Sequence, residues 1–213
     1  MRILRDFFHL FYPKLCGNCE EQLVFNEKTI CTLCRHDLPL TNFLSFTNNS
    51  VTKTFYGRID IEKGYALLFF RKEGITQKLI HELKYRGNEE IGELFGNWIG
   101  EIIIEKEEFK DVDHIIPVPL HPKKLKKRGY NQSEKFAKGL SKSLNINAKE
   151  VLERRKFTET QTKKSRLQRL EIVDEVFDLK DNENINGLEV NFKGGQVGGE
   201  NYFGVLLNGE LQS

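Results

Sequence analysis

Long hydrophobic runs are absent from this 213-residue sequence. No apolar stretch approaches the ~18 consecutive residues that a membrane-spanning helix needs, so the sequence predicts no transmembrane segment. The N-terminus also lacks the continuous apolar core and the small-residue cleavage site of a secretory signal peptide. A cytoplasmic location is therefore the default expectation.

A strong charge of one sign is missing as well. The 33 Lys and Arg residues against 31 Asp and Glu leave a formal net charge of +2. This balance excludes a global affinity for polyanions, so nucleic-acid binding would have to come from local basic patches. A length of 213 residues predicts one ordinary α/β domain plus a small module, and 38% hydrophobic with 30% charged residues predicts a globular chain with a modest core.

Cysteine is scarce, and its four copies form two CxxC knuckles. Cys16 and Cys19 are separated by eleven residues from Cys31 and Cys34. Each knuckle supplies two thiolates from one turn, which suits a tetrahedral zinc ion with ligands at ~2.3 Å. Two disulfides are the alternative, which a reducing cytoplasm and the knuckle spacing disfavour. Since the motif holds no other ligand type, the sequence predicts a structural rather than catalytic zinc.

A basic stretch runs from Asp113 to Gln132 and reads D-H-I-I-P-V-P-L-H-P-K-K-L-K-K-R-G-Y-N-Q. Its apolar start predicts a strand, and Gly129 marks a turn before a helix that Asn131 or Ser133 can cap. A strand leading into a helix N-terminus is a common anion-binding device in α/β proteins. Five cations precede this helix and indicate a polyphosphate ligand, with a solvated Lys-rich turn as the alternative. They are Lys123, Lys124, Lys126, Lys127 and Arg128.

Hydrophobic periodicity predicts the remaining elements. The expected order is a helix over residues 2–12, a polar linker over 40–53, paired strands over Thr54–Ile59 and Tyr65–Phe70, helices over Ile75–Tyr85 and from about Glu89 to Ile104, a helix ending near Leu144, and a strand near Ala148–Leu152. The helix from about Glu89 to Ile104 is expected to bury Leu94, Phe95, Trp98, Ile99 and Ile102. The first helix is expected to pack on its own domain, with docking to a partner or membrane surface as the alternative.

The basic stretch resembles the ComF family. The motif D-x-I-I-P-V-P-L-H-P followed by R-G-Y-N-Q-S-E-x-x-A is similar to the family pattern, and pieces recur from Cys16 to about Phe177. The resemblance implies an α/β fold in which a four-cysteine zinc ribbon precedes a type I phosphoribosyltransferase-like sheet with flanking helices. The implied organisation is a ribbon over 1–40, a transferase-like domain over 41–187 with an incomplete C-terminal part, and an atypical tail over 188–213.

The resemblance also implies ligands and partners. L-K-Y-R-G, which contains Lys84, and an R-x-x-x-T-x-x-Q…R pattern are similar to family segments. A phosphate site is therefore expected from Lys84, Arg128, Tyr130, Asn131, Gln132, Arg154, Thr158, Gln161 and Arg169. Its ligand would be diphosphate or phosphoribosyl diphosphate with magnesium. Studied family members serve natural DNA uptake, so single-stranded DNA and a DNA-uptake helicase are expected partners, with Lys123, Lys124, Lys126 and Lys127 as nucleic-acid contacts.

One family feature does not occur. Type I phosphoribosyltransferases carry two adjacent acids and a Thr- and Gly-rich turn, yet no such motif follows Asn186-Gly187. Asp174-Glu175 precedes no glycine-rich turn, and Ile172 stands where relatives have Asn. A truncated, frame-shifted or diverged C-terminus would each explain this. Three functions stay open: a phosphoribosyltransferase-like enzyme, a non-catalytic module that binds DNA or a partner, and a product without present function.

Overall fold

The protein is a mixture of helices and short strands. The computed structural model describes residues 13–24, 26–57, 61–109, 112–155 and 177–180. These residues form α1 (Thr32–His36), α2 (Ser50–Phe55), α3 (Ile75–Tyr85), α4 (Glu90–Glu105), β1 (His114–Ile115), α5 (Pro122–Arg128), α6 (Gln132–Leu144), β2 (Asn147–Ala148), β3 (Leu152–Arg154) and β4 (Phe177–Leu179). No helix in these ranges is long and apolar enough to cross a bilayer.

The strands form two small sheets. β1 pairs in parallel with β2, so that His114 lies opposite Asn147, and β3 pairs antiparallel with β4, so that Leu152 lies opposite Leu179. Helix α6 lies between β1 and β2 in the chain, as parallel strands require a crossover connection. The expected class of mixed helix and sheet is confirmed, while the described residues extend neither pair into a larger sheet.

The two central helices confirm the sequence prediction closely. Helix α3 has the expected bounds, and its fully buried residues Leu79 and Leu83 stand four apart on one face. Gly87 follows its C-terminus with a φ of 75°, a left-handed conformation that glycine adopts without steric cost. Helix α4 also lies within one residue of its predicted ends.

The buried face of α4 differs from the predicted one. Its apolar core residues recur every four positions at Ile91, Phe95, Ile99 and Ile103. The expected Leu94, Trp98 and Ile102 are only half-buried. The buried face is rotated from the predicted one because Gly92, Gly96 and Gly100 are also buried, and their lack of a side chain lets α6 pack close to α4.

Backbone contact joins α4 to α6 at two glycines. A Cβ atom added at Gly96 would collide with the Phe136 carbonyl oxygen and lie 2.8 Å from the Leu140 nitrogen. A Cβ at Gly139 would collide with the Glu93 carbonyl oxygen. An ion pair between Lys138 Nζ and Glu93 Oε1, 2.7 Å apart, flanks this contact. Sequence periodicity missed it because apolar patterns give glycine no weight.

The linker predicted over 40–53 and the strand predicted over Thr54–Ile59 are wrong, because α2 forms across their junction. Asn49 begins this helix through a capping box. Its side chain accepts hydrogen bonds from the backbone amides of Val51 and Thr52, and its backbone amide donates to Thr52 Oγ1. This local signal outweighs the β-branched residues that suggested a strand.

The segment Tyr65–Phe70 forms no regular strand. It contacts the chain after the ribbon through a single bridge between Leu40 and Leu68, which the amide of Thr41 supports by donating to the Leu67 carbonyl at 3.0 Å. The strand predicted near Ala148–Leu152 is instead divided between β2 and β3. The predicted helix over 2–12 and the C-terminal tail lie outside the described residues.

The basic block forms a helix rather than a turn. Pro122 occupies the first turn of α5, where its missing N–H costs no hydrogen bond, and His121 Nδ1 accepts from the Lys123 amide at 3.2 Å. Gly129, with a φ of 84°, ends the helix. The predicted cap at Asn131 is confirmed, because its side chain accepts from the Ser133 amide at 3.1 Å and starts α6.

Candidate metal centre and cation cluster

The four cysteines converge on one point. Their sulfur atoms all lie within 4.8 Å of one another, and the sulfurs of Cys19 and Cys31 are 3.7 Å apart. A tetrahedral site with metal–sulfur bonds of ~2.3 Å has edges of about 3.8 Å, so the spacing fits a four-thiolate metal site. All four cysteines are free thiols in this structure, and 3.7 Å is far longer than a disulfide bond.

Two of the sulfur atoms in this cluster accept hydrogen bonds from N–H groups. The Cys31 amide donates to Cys16 Sγ at 3.3 Å, and the Asn18 amide group donates to Cys34 Sγ at 3.1 Å. Burial opposes ionisation of Cys16, but backbone N–H donors outweigh it and lower its pKa to about 7. Burial raises the pKa of Cys34 to about 12. A metal ion held between the four sulfur atoms would favour the thiolate form of each of them.

A carboxylate holds the second knuckle in place. Glu27 accepts hydrogen bonds from the Thr32 amide at 2.6 Å, from the Thr32 hydroxyl at 2.7 Å and from the Val24 amide at 3.0 Å. The Val24 N–H and then the Thr32 donors lower the pKa of Glu27. His36, which follows the second knuckle in the chain, is exposed and pairs with Asp37 at 3.2 Å. It makes no contact with the sulfur cluster.

The four-cysteine region shares a core with α3 and α4. Cys16, Ile30 and Cys34 belong to the same buried cluster as Leu79 and Ile91. A Cβ atom added at Gly17 would lie 3.3 Å from Leu79 Cδ2, so the first knuckle packs directly on α3. The Arg35 guanidinium also lies 4.8 Å from the centroid of the Trp98 ring on α4. A change at the metal centre therefore reaches both helices.

Four cations from three elements form a second candidate site. We call it the cation cluster: Lys84 at the end of α3, Lys124 and Arg128 on α5, and Arg154 on β3. Burial lowers the pKa of Lys84, and the charges of Arg128 and Lys124 lower it further. Burial also lowers the pKa of Lys124, with Arg154 and Arg128 adding to the effect. Among the described residues, the charged neighbours behind both shifts are cations, so a bound anion would stabilise the cluster.

Arg128 links the cation cluster to two further groups. Its Nη1 donates to Gln132 Oε1 at 2.9 Å, and its guanidinium carbon lies 5.4 Å from the centroid of the Tyr85 ring. Gln132, the first residue of α6, is only 4% exposed, and its Nε2 has no hydrogen-bond partner among the described residues. A buried donor at a helix N-terminus beside several cations is a favourable place for a phosphate oxygen.

The other predicted phosphate ligands have different positions. Tyr130 is buried, and its hydroxyl donates to the Leu83 carbonyl oxygen. Asn131 is buried too, caps α6 and donates to the Val118 carbonyl at 3.0 Å. These two residues hold the loop between α5 and α6. Thr158, Gln161 and Arg169 lie outside the described residues.

The lysines of α5 divide into two groups. Lys124 is half-buried and contributes to the cation cluster, whereas Lys123, Lys126 and Lys127 are exposed. The sequence predicts all four as one nucleic-acid patch, whereas the helical conformation of this block separates Lys124 from the other three. The sequence prediction omits Tyr85, whose only signal is its position next to Lys84 at a helix end.

Comparison with known proteins gives no match: no protein-family model, no curated protein and no solved structure is similar to this chain. The ComF resemblance therefore rests on the motif residues alone. The chemistry of the two sites stands independently of it, as a thiolate cluster suited to a metal ion and a cation cluster suited to an anion.

Proposed function

We propose that the protein is a ComF-like member of the phosphoribosyltransferase family that binds a phosphorylated small molecule at the cation cluster. The observation that carries this proposal is the position of Arg128, which donates to the buried Gln132 side chain at the start of α6 at 2.9 Å and whose charge, with that of Lys124, lowers the pKa of Lys84. A bound anion would reduce the repulsion between these like charges at partly buried positions. The buried Gln132 amide adds an uncharged donor beside them.

A diphosphate group is the ligand that fits this cluster best. Its several negative charges can be shared among the ammonium groups and the planar guanidinium of Arg128, which binds phosphate oxygens in a bidentate manner. In phosphoribosyl transfer such a site would neutralise the leaving diphosphate. The sequence offers no candidate for the acidic pair of the sugar-phosphate half, so the proposal covers binding of the diphosphate group.

The metal in this proposal is zinc, held by Cys16, Cys19, Cys31 and Cys34. Soft thiolate ligands in a tetrahedral arrangement favour zinc over oxygen-seeking cations. With all four positions filled by the protein, the ion stabilises structure and leaves no site for substrate. Magnesium requires oxygen ligands, and the cation cluster presents ammonium, guanidinium and amide groups, so we assign no step to magnesium.

Replacing Lys84 with Met is expected to weaken diphosphate binding roughly 10- to 100-fold, because a charge-assisted hydrogen bond contributes ~1.5–3 kcal/mol. Lys78→Met is the matched control, since Lys78 is exposed on the same helix. Isothermal titration calorimetry with diphosphate measures both. Affinity should also decline toward alkaline pH sooner than for an ordinary lysine, because the lowered pKa of Lys84 means earlier loss of its charge. Absence of diphosphate binding to the wild-type protein contradicts the proposal.

Single-stranded DNA is the second candidate ligand, with a role in DNA uptake and a helicase partner resting on family analogy. The exposed positions of Lys123, Lys126 and Lys127 along α5 favour it. Each phosphate neutralised on a single strand contributes about −0.7 to the log–log salt slope, so three contacts predict roughly −2. Replacing these three lysines with Ala should bring the slope close to zero. The control variant replaces the exposed Lys53, Lys72 and Lys78. A slope that both variants share places DNA binding elsewhere.

A further inference from the structure

An exposed aromatic ring lies at the edge of the cation cluster. Tyr85, the last residue of α3, follows Lys84 directly and is 55% exposed. The Arg128 guanidinium lies over its ring, and the His81 ring centroid is 4.9 Å from that of Tyr85. More than half of the Tyr85 surface stays exposed although both neighbours contact it. The ring is therefore held in place and still accessible.

We propose that Tyr85 is a stacking platform for the base of a nucleoside diphosphate whose phosphate groups occupy the cation cluster. This inference rests on the proposed function, because the phosphates would bind the same cations. Arg128 provides the physical link, since it contacts the Tyr85 ring and the buried Gln132 amide and also lowers the pKa of Lys84 through its charge. One ligand with an anionic end and a planar aromatic end satisfies both parts of the site.

The charge of the cluster distinguishes a free nucleotide from a nucleic-acid strand. Each internal phosphate of a strand carries one negative charge, whereas a terminal diphosphate carries two or three on adjacent groups. Arg128 is half-buried and donates to the buried Gln132 side chain at 2.9 Å, and its charge acts on the half-buried Lys84, so these groups suit adjacent negative charges on one ligand. The exposed lysines of α5 are the ones spaced along a surface, as a strand requires.

The test compares two probes, ADP and inorganic diphosphate, by calorimetry. Aromatic stacking contributes ~1–3 kcal/mol per base. We therefore expect Tyr85→Ala to weaken ADP binding about tenfold, equivalent to about 1.4 kcal/mol, and to change diphosphate binding less than about twofold. Tyr85→Phe should preserve both affinities because it keeps the ring. Tyr56→Ala is the matched control, since Tyr56 is also exposed, at 62%, outside the cation cluster.

The outcomes separate this inference from the proposed function. If Tyr85→Ala weakens ADP and diphosphate equally, Tyr85 only positions Arg128 and the stacking role is overturned, while the anion site stands. If an oligothymidylate depends on Tyr85 and ADP does not, a strand rather than a free nucleotide uses the ring, which also overturns the inference. If wild-type protein binds no diphosphate, the anion site fails and the stacking proposal fails with it.

Discussion

Replacing Cys19 with Ser is expected to abolish tight zinc binding and to destabilise the protein well beyond the metal-binding region. Cys19 is exposed, so the substitution removes a ligand without removing a buried contact. The wild-type protein should contain close to one zinc per chain. Apparent zinc binding in small structural sites contributes ~10–16 kcal/mol, comparable with the entire ~5–15 kcal/mol stability of an ordinary domain.

The shared core explains why this effect should spread. Cys16 and Cys34 are buried in the same cluster as Leu79 and Ile91, so disorder of the knuckles uncovers one side of α3 and α4. Exposure of Leu79 alone would cost about 1.5–3 kcal/mol. Because α3 also carries Lys84, zinc loss should weaken diphosphate binding as well. A region attached only by a polar linker would instead loosen by itself.

Three measurements check this expectation: metal analysis, thermal unfolding and tryptophan emission. The chain has one Trp, and Trp98 contacts Arg35 beside the second knuckle, so its emission should shift to longer wavelength when zinc is lost. His36→Ala is the control, because His36 is exposed near the cluster and should retain the metal. A Cys19→Ser protein with full zinc content and unchanged melting temperature would falsify the assignment.

Replacing Gly96 with Ala is expected to lower the free energy of unfolding by more than ~3 kcal/mol. In an isolated helix the same change stabilises by ~1 kcal/mol, because Ala has the better helix propensity. Here the added methyl group would collide with the Phe136 carbonyl oxygen and force α4 away from α6. Gly139→Ala should behave similarly, since its methyl group would meet the Glu93 carbonyl oxygen.

Chemical denaturation with matched controls tests whether Gly96→Ala lowers the free energy of unfolding instead of raising it. Glu101 on α4 and Lys142 on α6 are exposed, so their replacement by Ala should change stability by less than ~0.5 kcal/mol. The double variant Gly96→Ala/Gly139→Ala should lose less than the sum of the single losses, because either methyl group alone already separates the helices. Stabilisation by Gly96→Ala would show that the helices do not make this backbone contact.

Local signals in the sequence determined the four-cysteine cluster and the helices α3, α4 and α6. The two knuckles specify four sulfur donors because each brings its pair together within a single turn, and the structure places all four within 4.8 Å. The ends of α3 and the cap at Asn131 also depend on neighbours a few residues away. Asn49 shows that such a signal can be missed, since its capping box starts a helix where apolar β-branched residues suggested a strand.

Only the tertiary structure decided the cation cluster and the contact between α4 and α6. Lys84, Lys124 and Arg154 are distant in the chain, and each alone resembles an ordinary solvated cation. Their convergence depends on how α3, α5 and β3 pack, which no short-range pattern encodes. The same holds for Gly96 and Gly139, because a glycine contributes nothing to a hydrophobic pattern and its role becomes visible only where a second backbone packs against it. Spacing within one turn is local chemistry, whereas contact between elements is a property of the packed core.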